Sequence, residues 1–318
     1  MSSNNQIIKK GERALPVVSK EARQYVEEST SENTRKAYAS DLRIFAKWCD
    51  NNSCSPLPAE ASNVANFLAN QADTGLGAST LNRRLAAIRY AHKAKGFPSP
   101  TGDALVTATL KGIRRTQKRP VNKKAAATID RIHRLLAQID VESVSGKRDH
   151  ALLLLGFSGA FRRSELASLE LSDIEFNEHG LTVTFRQSKT DQNALGQVIA
   201  IPNGKLEIID VLVRWLTVAG ITEGAIFRKV SKSGKVGRFA LNDRSVALIV
   251  KKYVAKAGLN ADDFAGHSLR SGFTTSAAEA GANLFKIMDV TRHKSVDTVR
   301  EYVSSANAFK DHAGDSFL

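Results

Sequence analysis

The sequence predicts a mainly helical protein in two parts: an all-α first half, and a mixed α+β, mostly helical second half carrying a small antiparallel β-hairpin. Three observations predict it. Apolar residues recur every three or four positions through most of the chain, the signature of amphipathic helices. Strict alternation is confined to Leu181–Phe185, with Gln197–Pro202 as its partner across a turn-rich stretch containing Asn193 and Gly196. Between the halves, Lys111–Lys124 holds seven Lys or Arg in fourteen residues, no acid, and Pro120. A chain of 318 residues is long for one core and comfortable for two.

Taken in order, residues 1–18 are polar and end near Leu15-Pro16, which predicts a flexible arm ahead of a domain spanning 19–112. Ser31 is placed to cap a helix running to about Cys49, because its hydroxyl can accept from an amide of the first turn. Tyr38, Leu42, Phe45 and Cys49 form its apolar stripe; Lys36, Ser40, Arg43 and Lys47 line the opposite face, with no acidic partners evident at helical spacing. A further helix is expected around Val64, Phe67 and Leu68, set off by Pro56 and Pro58 before it and Gly75 and Gly77 after it. The next, capped by Ser79 or Thr80 and reaching Lys95, has Leu81, Leu85, Ile88 and His92 inside. Arg83, Ala86, Ala87, Tyr90 and Lys93 are expected broadly opposite, and His92 reads as a satisfied core histidine. The basic stretch, with Arg114, Arg115, Lys118 and Arg119, reads as a linker over 113–125, since Pro120 cannot sit inside a helix without removing a hydrogen bond. From 126 to 318 a second domain is expected, with helices near 129–139, 150–161, 207–218, 245–257 and 272–280 around the hairpin.

Forty-six Lys and Arg against 32 Asp and Glu give a formal charge of +14, which points to a polyanionic partner. No apolar run approaches the ~20 residues of a membrane span, and Met1–Gln6 has no signal-peptide character, so a cytoplasmic location is expected. Cys49 and Cys54 form no disulfide framework and have poor zinc spacing; Cys49 falls on an apolar stripe. No nucleotide-binding fingerprint is present. Neither a cofactor nor a metal site is expected.

The second half carries a denser signal. Arg162 sits in Gly-Ala-Phe-Arg-Arg-Ser-Glu-Leu, and His267-Ser-Leu-Arg270 is followed by His293 after 23 residues and by Tyr302 after nine more. Two arginines and two histidines can stabilise charge growing on a phosphodiester, and a phenol can attack it once a base removes its proton. The inventory therefore suits phosphoryl transfer to a tyrosine.

This ordered set resembles the tyrosine recombinase (phage integrase) family of site-specific DNA recombinases, and the resemblance covers nearly the whole chain. It implies that Tyr302 is the nucleophile, forming a 3′-phosphotyrosyl link and freeing a 5′-hydroxyl. Arg162 and Arg270 would clamp the scissile phosphate; the choice of Arg162 over Arg163 follows the family register Arg-x-Ser-Glu-Leu. His267 would carry the proton, His293 would donate to a non-bridging oxygen, and Lys189 would protonate the leaving 5′-oxygen. Glu165 would orient the site. The family often has glycine before its second histidine, where this chain has Arg292.

By the same resemblance, the partner is double-stranded DNA bearing a specific recombination site, contacted by Lys36, Ser40, Arg43, Lys47, Arg83, Tyr90, Lys93, Arg114, Arg115, Lys118 and Arg119. A homotetramer would assemble across two such sites. Two alternatives remain at this point: a type IB topoisomerase-like relaxer using the same chemistry, and a site-specific DNA-binding protein without catalysis.

Overall fold

A computed structural model describes Ser19, Tyr25 and residues 29–117, 124–185 and 196–306. The chain divides into two compact units, Met1–Val121 and Asn122–Leu318. The expected arm over 1–18 and the basic residues Lys118 and Arg119 lie outside the described residues.

The first unit is built from α1 (Glu32–Asn51), α2 (Ala61–Asp73), α3 (Ala78–Ala94) and α4 (Ala104–Gln117). Ser31 caps α1, its hydroxyl accepting from the Thr34 amide. The apolar stripes converge on one core of Phe45, Cys49, Val64, Phe67, Leu68, Leu81, Leu85, Ile88, Val106 and Leu110. His92 is buried in it, receiving the Ala59 amide at Nε2 (2.9 Å) and contacting the Ile88 carbonyl through Nδ1 (2.8 Å). Three expectations are corrected. Gly77, not Ser79 or Thr80, is the N-cap of α3. Ala87 is fully buried, because it lies beside Ile88 on the inward side. The first half of the basic stretch is helix: α4 continues to Gln117, whose amide nitrogen reaches the Ala72 and Leu76 carbonyls.

The second unit comprises α5 (Ile129–Leu136), α6 (Val144–Ser158), α7 (Arg163–Ser168), β1 (Ile174–Asn177), β2 (Gly180–Phe185), β3 (Gln197–Pro202), α8 (Ile208–Ala219), β4 (Arg228–Val230), β5 (Val236–Ala240), α9 (Asp243–Lys256), α10 (Ser268–Glu279), α11 (Leu284–Thr291) and α12 (Val296–Ala306). β1, β2 and β3 form an antiparallel sheet, and β4 pairs with β5. Leu181 opposes Ile201 and Val183 opposes Ile199, so the alternation delivers one apolar face to the core.

Helix α6 is the spine of this unit. Its Leu152–Leu155 run is buried all round, which suits a helix walled in on every side rather than one with a wet face. Gly272 lets α10 approach: a Cβ there would lie 1.9 Å from the Ala127 carbonyl oxygen, and the Ala127 amide donates to the Ser268 carbonyl. A small separate cluster of Ala278, Ile287 and Val299 ties α10, α11 and α12 together. This packing carries Arg270, His293 and Tyr302 on three neighbouring segments that share one anchor.

Candidate active site

The chain leaves α6 through Gly159 and Ala160, the latter in the left-handed region (φ 47°), and reaches Arg162 at the N-cap of α7. Glu165, one turn on, folds its carboxylate back over this corner. It accepts from the Arg162 amide (2.8 Å), from Arg162 Nη1 (2.5 Å) and from Arg292 Nη2 (2.8 Å). Burial alone would raise its pKa. The Arg292 charge, together with the Arg162 amide and guanidinium, outweighs burial and holds the carboxyl below its ordinary range. Arg163 turns elsewhere, onto Asp243 (2.7 Å).

Arg270 is 1% exposed. Its Nη1 donates to the Ala160 carbonyl (2.9 Å), while Nε and Nη2 are buried with no partner among the described residues. Buried guanidinium donors without acceptors are expensive, and a pair of them on one edge presents the fork that a phosphate oxygen pair fills. Desolvation, then the charges of Arg162 and Arg292, push Arg270 down to about 9, so it stays cationic at neutral pH. A Tyr302 phenolate would favour that charge, which places the phenol within electrostatic reach of the fork.

His267 stands at the N-cap of α10 in an exposed position. Desolvation, then Arg270 and Arg162, hold it below the ordinary imidazole range against the pull of Glu165. Half-buried His293 contacts Thr291 Oγ1 through Nδ1 (2.8 Å), and desolvation followed by Arg270, Arg162, His267 and Arg292 pushes it down to about 4. Half-buried Tyr302 lies on α12. The structure thus brings Arg162, Glu165, His267, Arg270, His293 and Tyr302 together. Lys189 lies outside the described residues, between the end of β2 and the start of β3.

Arg292 escaped the sequence reading as a site residue. It caps α11 in the left-handed region (φ 56°), where a non-glycine side chain is uncommon. Its guanidinium is buried, stacks over Phe185 (4.7 Å to the ring centroid) and Phe161 (5.5 Å), and donates to Glu165 and, at 3.2 Å, to the Ala160 carbonyl. One carbonyl therefore receives both Arg270 and Arg292. The signal available beforehand was only that an arginine stood where the resemblance led one to expect glycine.

The candidate DNA-binding residues in the first unit are mixed. Arg43 and Lys47 are exposed along α1 and Ser40 is half-buried. Lys36 has an acidic partner after all, Glu32 at 2.6 Å, which the expectation of an unpaired face missed because Glu32 lies in the first turn. Arg83 is held 2.8 Å from Asp41, Tyr90 packs against Tyr38, and Lys93 is exposed. Arg114 donates to Asn82, and Arg115 is exposed. Among the described residues no group of His, Cys, Asp and Glu is arranged to hold a metal ion, and no helix is long and apolar enough to cross a membrane.

Comparison with known proteins places the chain in a family. The phage integrase family model matches residues 127–308, and the model of the phage integrase N-terminal SAM-like domain matches 24–95. The integrase/recombinase XerD homologue of Selenomonas ruminantium is 40% identical over 302 residues, covering 93% of this chain and 88% of the relative. The Cre recombinase of Escherichia phage P1 is 24% identical over 298 residues, covering 87% of this chain and 85% of its own. Among solved structures, the Tn1549 transposon integrase in complex with transposon right-end DNA shares the fold at a TM-score of 0.61 and 15% identity, covering 88% of this chain and 92% of the other. A lambda integrase dimer bound to a core site does so at 0.60 and 18%, covering 88% and 74%. With the integrase model matching more than half of the chain and a relative 40% identical over nearly its whole length, the chain is a member of the phage integrase family of tyrosine recombinases.

Proposed function

We propose that this site-specific tyrosine recombinase breaks and rejoins double-stranded DNA through Tyr302. The observation that carries the reading is the Arg270 fork, whose Nε and Nη2 are buried and have no partner among the described residues, a preformed hole for an anion. Arg270 and Arg162 hold the non-bridging oxygens of the scissile phosphate. Glu165 keeps Arg162 in place without neutralising Arg270. The Tyr302 Oη bonds to phosphorus as its proton passes to His267, and the P–O5′ bond breaks as Lys189 supplies a proton to the leaving oxygen. The products are a 3′-phosphotyrosyl link and a free 5′-hydroxyl. In the reverse step the neutral Lys189 amine takes the proton of an incoming 5′-hydroxyl as its oxygen bonds to phosphorus, and His267 returns its proton to the departing Tyr302 oxygen, which reseals the strand and expels the phenol. The guanidiniums supply the charge stabilisation, so cleavage proceeds in the presence of EDTA.

The names of the relatives, and neighbours solved with DNA, support duplex DNA as substrate; the working assembly in this reading is a homotetramer bridging two sites, as the family resemblance implies. The cytoplasm is the matching location. Incubating the protein with DNA fragments from its own genomic neighbourhood, and sequencing what becomes covalently attached, tests the reading. Tyr302→Phe should bind DNA yet yield no adduct, because only the attacking oxygen is removed; an adduct at wild-type level from the Phe variant would overturn it. A plasmid carrying two copies of the attached sequence separates recombination from simple relaxation.

Lys189 is tested by leaving-group chemistry. Lys189→Ala should slow cleavage within the ~10²–10⁴-fold range of general acid catalysis. A sulfur in place of the bridging 5′-oxygen leaves as a thiolate, whose conjugate thiol has a pKa of about 8.5, and needs no proton. The sulfur-bridged substrate should restore the Ala variant but not Arg162→Ala or Arg270→Ala; equal rescue of all three would remove Lys189 from the acid role.

A further inference from the structure

The hydrogen-bond chain behind His293 determines which of its nitrogens carries the proton. Thr291 Oγ1 lies 2.7 Å from the Ile287 carbonyl oxygen and 2.8 Å from His293 Nδ1. A carbonyl oxygen has no proton to give, so the first hydrogen bond uses the only proton of the hydroxyl. The second must then be donated by the ring. A neutral imidazole has one N–H, and here it is Nδ1–H, which leaves Nε2 with a bare lone pair. Among the described residues no protein group donates to Nε2.

We infer that Thr291 is a positioning residue that fixes His293 as its Nδ1–H tautomer, and that His293 becomes a donor to a phosphate oxygen only by taking up a proton at Nε2. The second half rests on the proposed function; the first does not. The groups around the ring favour the neutral form in the free protein. Arg162 faces it from α7, Arg270 and His267 from α10, and Arg292 from its own turn. The acidic counterweight nearby, Glu165, is engaged by Arg162 and Arg292. Tyr302 on α12 adds no charge while it is a phenol.

An anionic oxygen pair entering the Arg270 fork reverses this balance. It supplies an acceptor that an imidazolium can satisfy and a bare Nε2 cannot, so binding draws one proton from solvent. Thr291 therefore converts a ready donor into one armed by the substrate. The assigned role of His293, donation to a non-bridging oxygen, acquires a condition that the ring alone would not impose.

The test uses the full chain with ¹⁵N-labelled histidine, the His293 signals being identified by their loss in His293→Gln. At neutral pH the ring should show a protonated Nδ1 and an unprotonated Nε2. Thr291→Ser should retain that pattern and Thr291→Val, which offers no acceptor, should move the proton to Nε2. A wild-type ring protonated at Nε2, or a Val variant unchanged from wild type, overturns the positioning role. Sulfate, which keeps one charge state across the range, then serves as the phosphate probe. Its addition should protonate Nε2 in the wild type. Its affinity should fall by up to about tenfold per pH unit as pH rises, one proton's worth, with a flatter dependence in Thr291→Val that Thr291→Ser restores. Sulfate that perturbs Arg270 but leaves Nε2 bare overturns the proton uptake. Sulfate that perturbs neither overturns the anion-hole reading of the site, while the tautomer result stands on its own.

Discussion

Each unit of the molecule encloses one carboxylate between two arginines, and the two clusters behave in opposite ways. In the first unit Asp41, 2% exposed, has Arg83 Nη1 2.8 Å from Oδ2 but makes no aligned hydrogen bond through that oxygen; Arg84 Nε stands off at 3.7 Å. Desolvation prevails over both arginines and raises the Asp41 pKa. In the second unit the Glu165 side chain is nearly as enclosed, 10% exposed, yet two guanidiniums and a backbone amide donate to it within 2.8 Å, and its pKa falls. The ingredients match. The difference lies in completed hydrogen bonds, because in a desolvated site a nearby charge compensates burial only when its donors are aimed. The Asp41 cluster is an ion group with slack; in the Glu165 cluster the carboxylate is fully engaged, and the buried donors left over are Arg270 Nε and Nη2 and Arg292 Nε.

The largest effect expected from this contrast concerns Arg270. Arg270→Met should lower the rate of adduct formation by at least about 10²–10³-fold, the scale of losing one fixed oxyanion donor. The same change removes a buried charge with unmet donors, so denaturant unfolding of the second unit should show no loss of stability. A parallel drop in stability would mean Arg270 is a structural residue. The two units can be followed separately, since the two tryptophans, Trp48 and Trp215, fall one in each.

Next in size, Glu165→Gln should destabilise the second unit by about 3–5 kcal/mol, the range for orphaning buried charges. Asp41→Asn should cost the first unit about 1 kcal/mol or less, one imperfect hydrogen bond's worth. Acid sharpens the comparison. The depressed Glu165 pKa contributes stability that is complete above the ordinary carboxylate range and is lost as pH falls through the folded value. The raised Asp41 pKa contributes stability that is complete below that range and is lost as pH rises through its folded value. Trp215 fluorescence in wild type minus Glu165→Gln, and Trp48 fluorescence in wild type minus Asp41→Asn, should therefore slope oppositely with pH. Slopes of one sign would erase the distinction.

The smallest effect belongs to the exposed face of α1. Replacing Lys36, Arg43 and Lys47 with glutamine should flatten the log–log salt dependence of DNA binding by about 0.9 for each phosphate the variant no longer neutralises. Lys36, already paired with Glu32, should contribute least of the three. An unchanged slope would make the face ordinary solvated surface.

Much of this architecture was legible in the chain because its determinants are local. The α1 cap at Ser31 and the β2–β3 pairing follow from residue type and spacing, whereas Arg162, His267, Arg270, His293 and Tyr302 were singled out by their ordered resemblance to the tyrosine recombinases. What escaped depends on tertiary company. Helix α4 was read as linker because charge density and Pro120 dominated, yet α4 ends at Gln117, before the proline, and its solvent face tolerates lysine and arginine. Strand β1 has only four residues with a largely exposed pattern, too short to declare a period. The buried charges Asp41 and Arg84 look like surface residues until the helices pack. Arg292 gave no periodic signal at all, since its importance arises from a left-handed turn and from two aromatic rings distant in sequence.

The shared Ala160 carbonyl has a mechanical consequence. It acts as a pin through two levers: one is α10, which carries Arg270, and the other is the corner between α11 and α12, which carries Arg292 at one end and leads to Tyr302 at the other. Levers on a common pin cannot swing independently. A displacement of the corner that repositions Tyr302, the proposed nucleophile, would also drag on the carbonyl that accepts from Arg270, so the proposed attacking group and the proposed anion seat would stay in step. Motion at α12 is thereby geared directly to the alignment of a guanidinium on another helix.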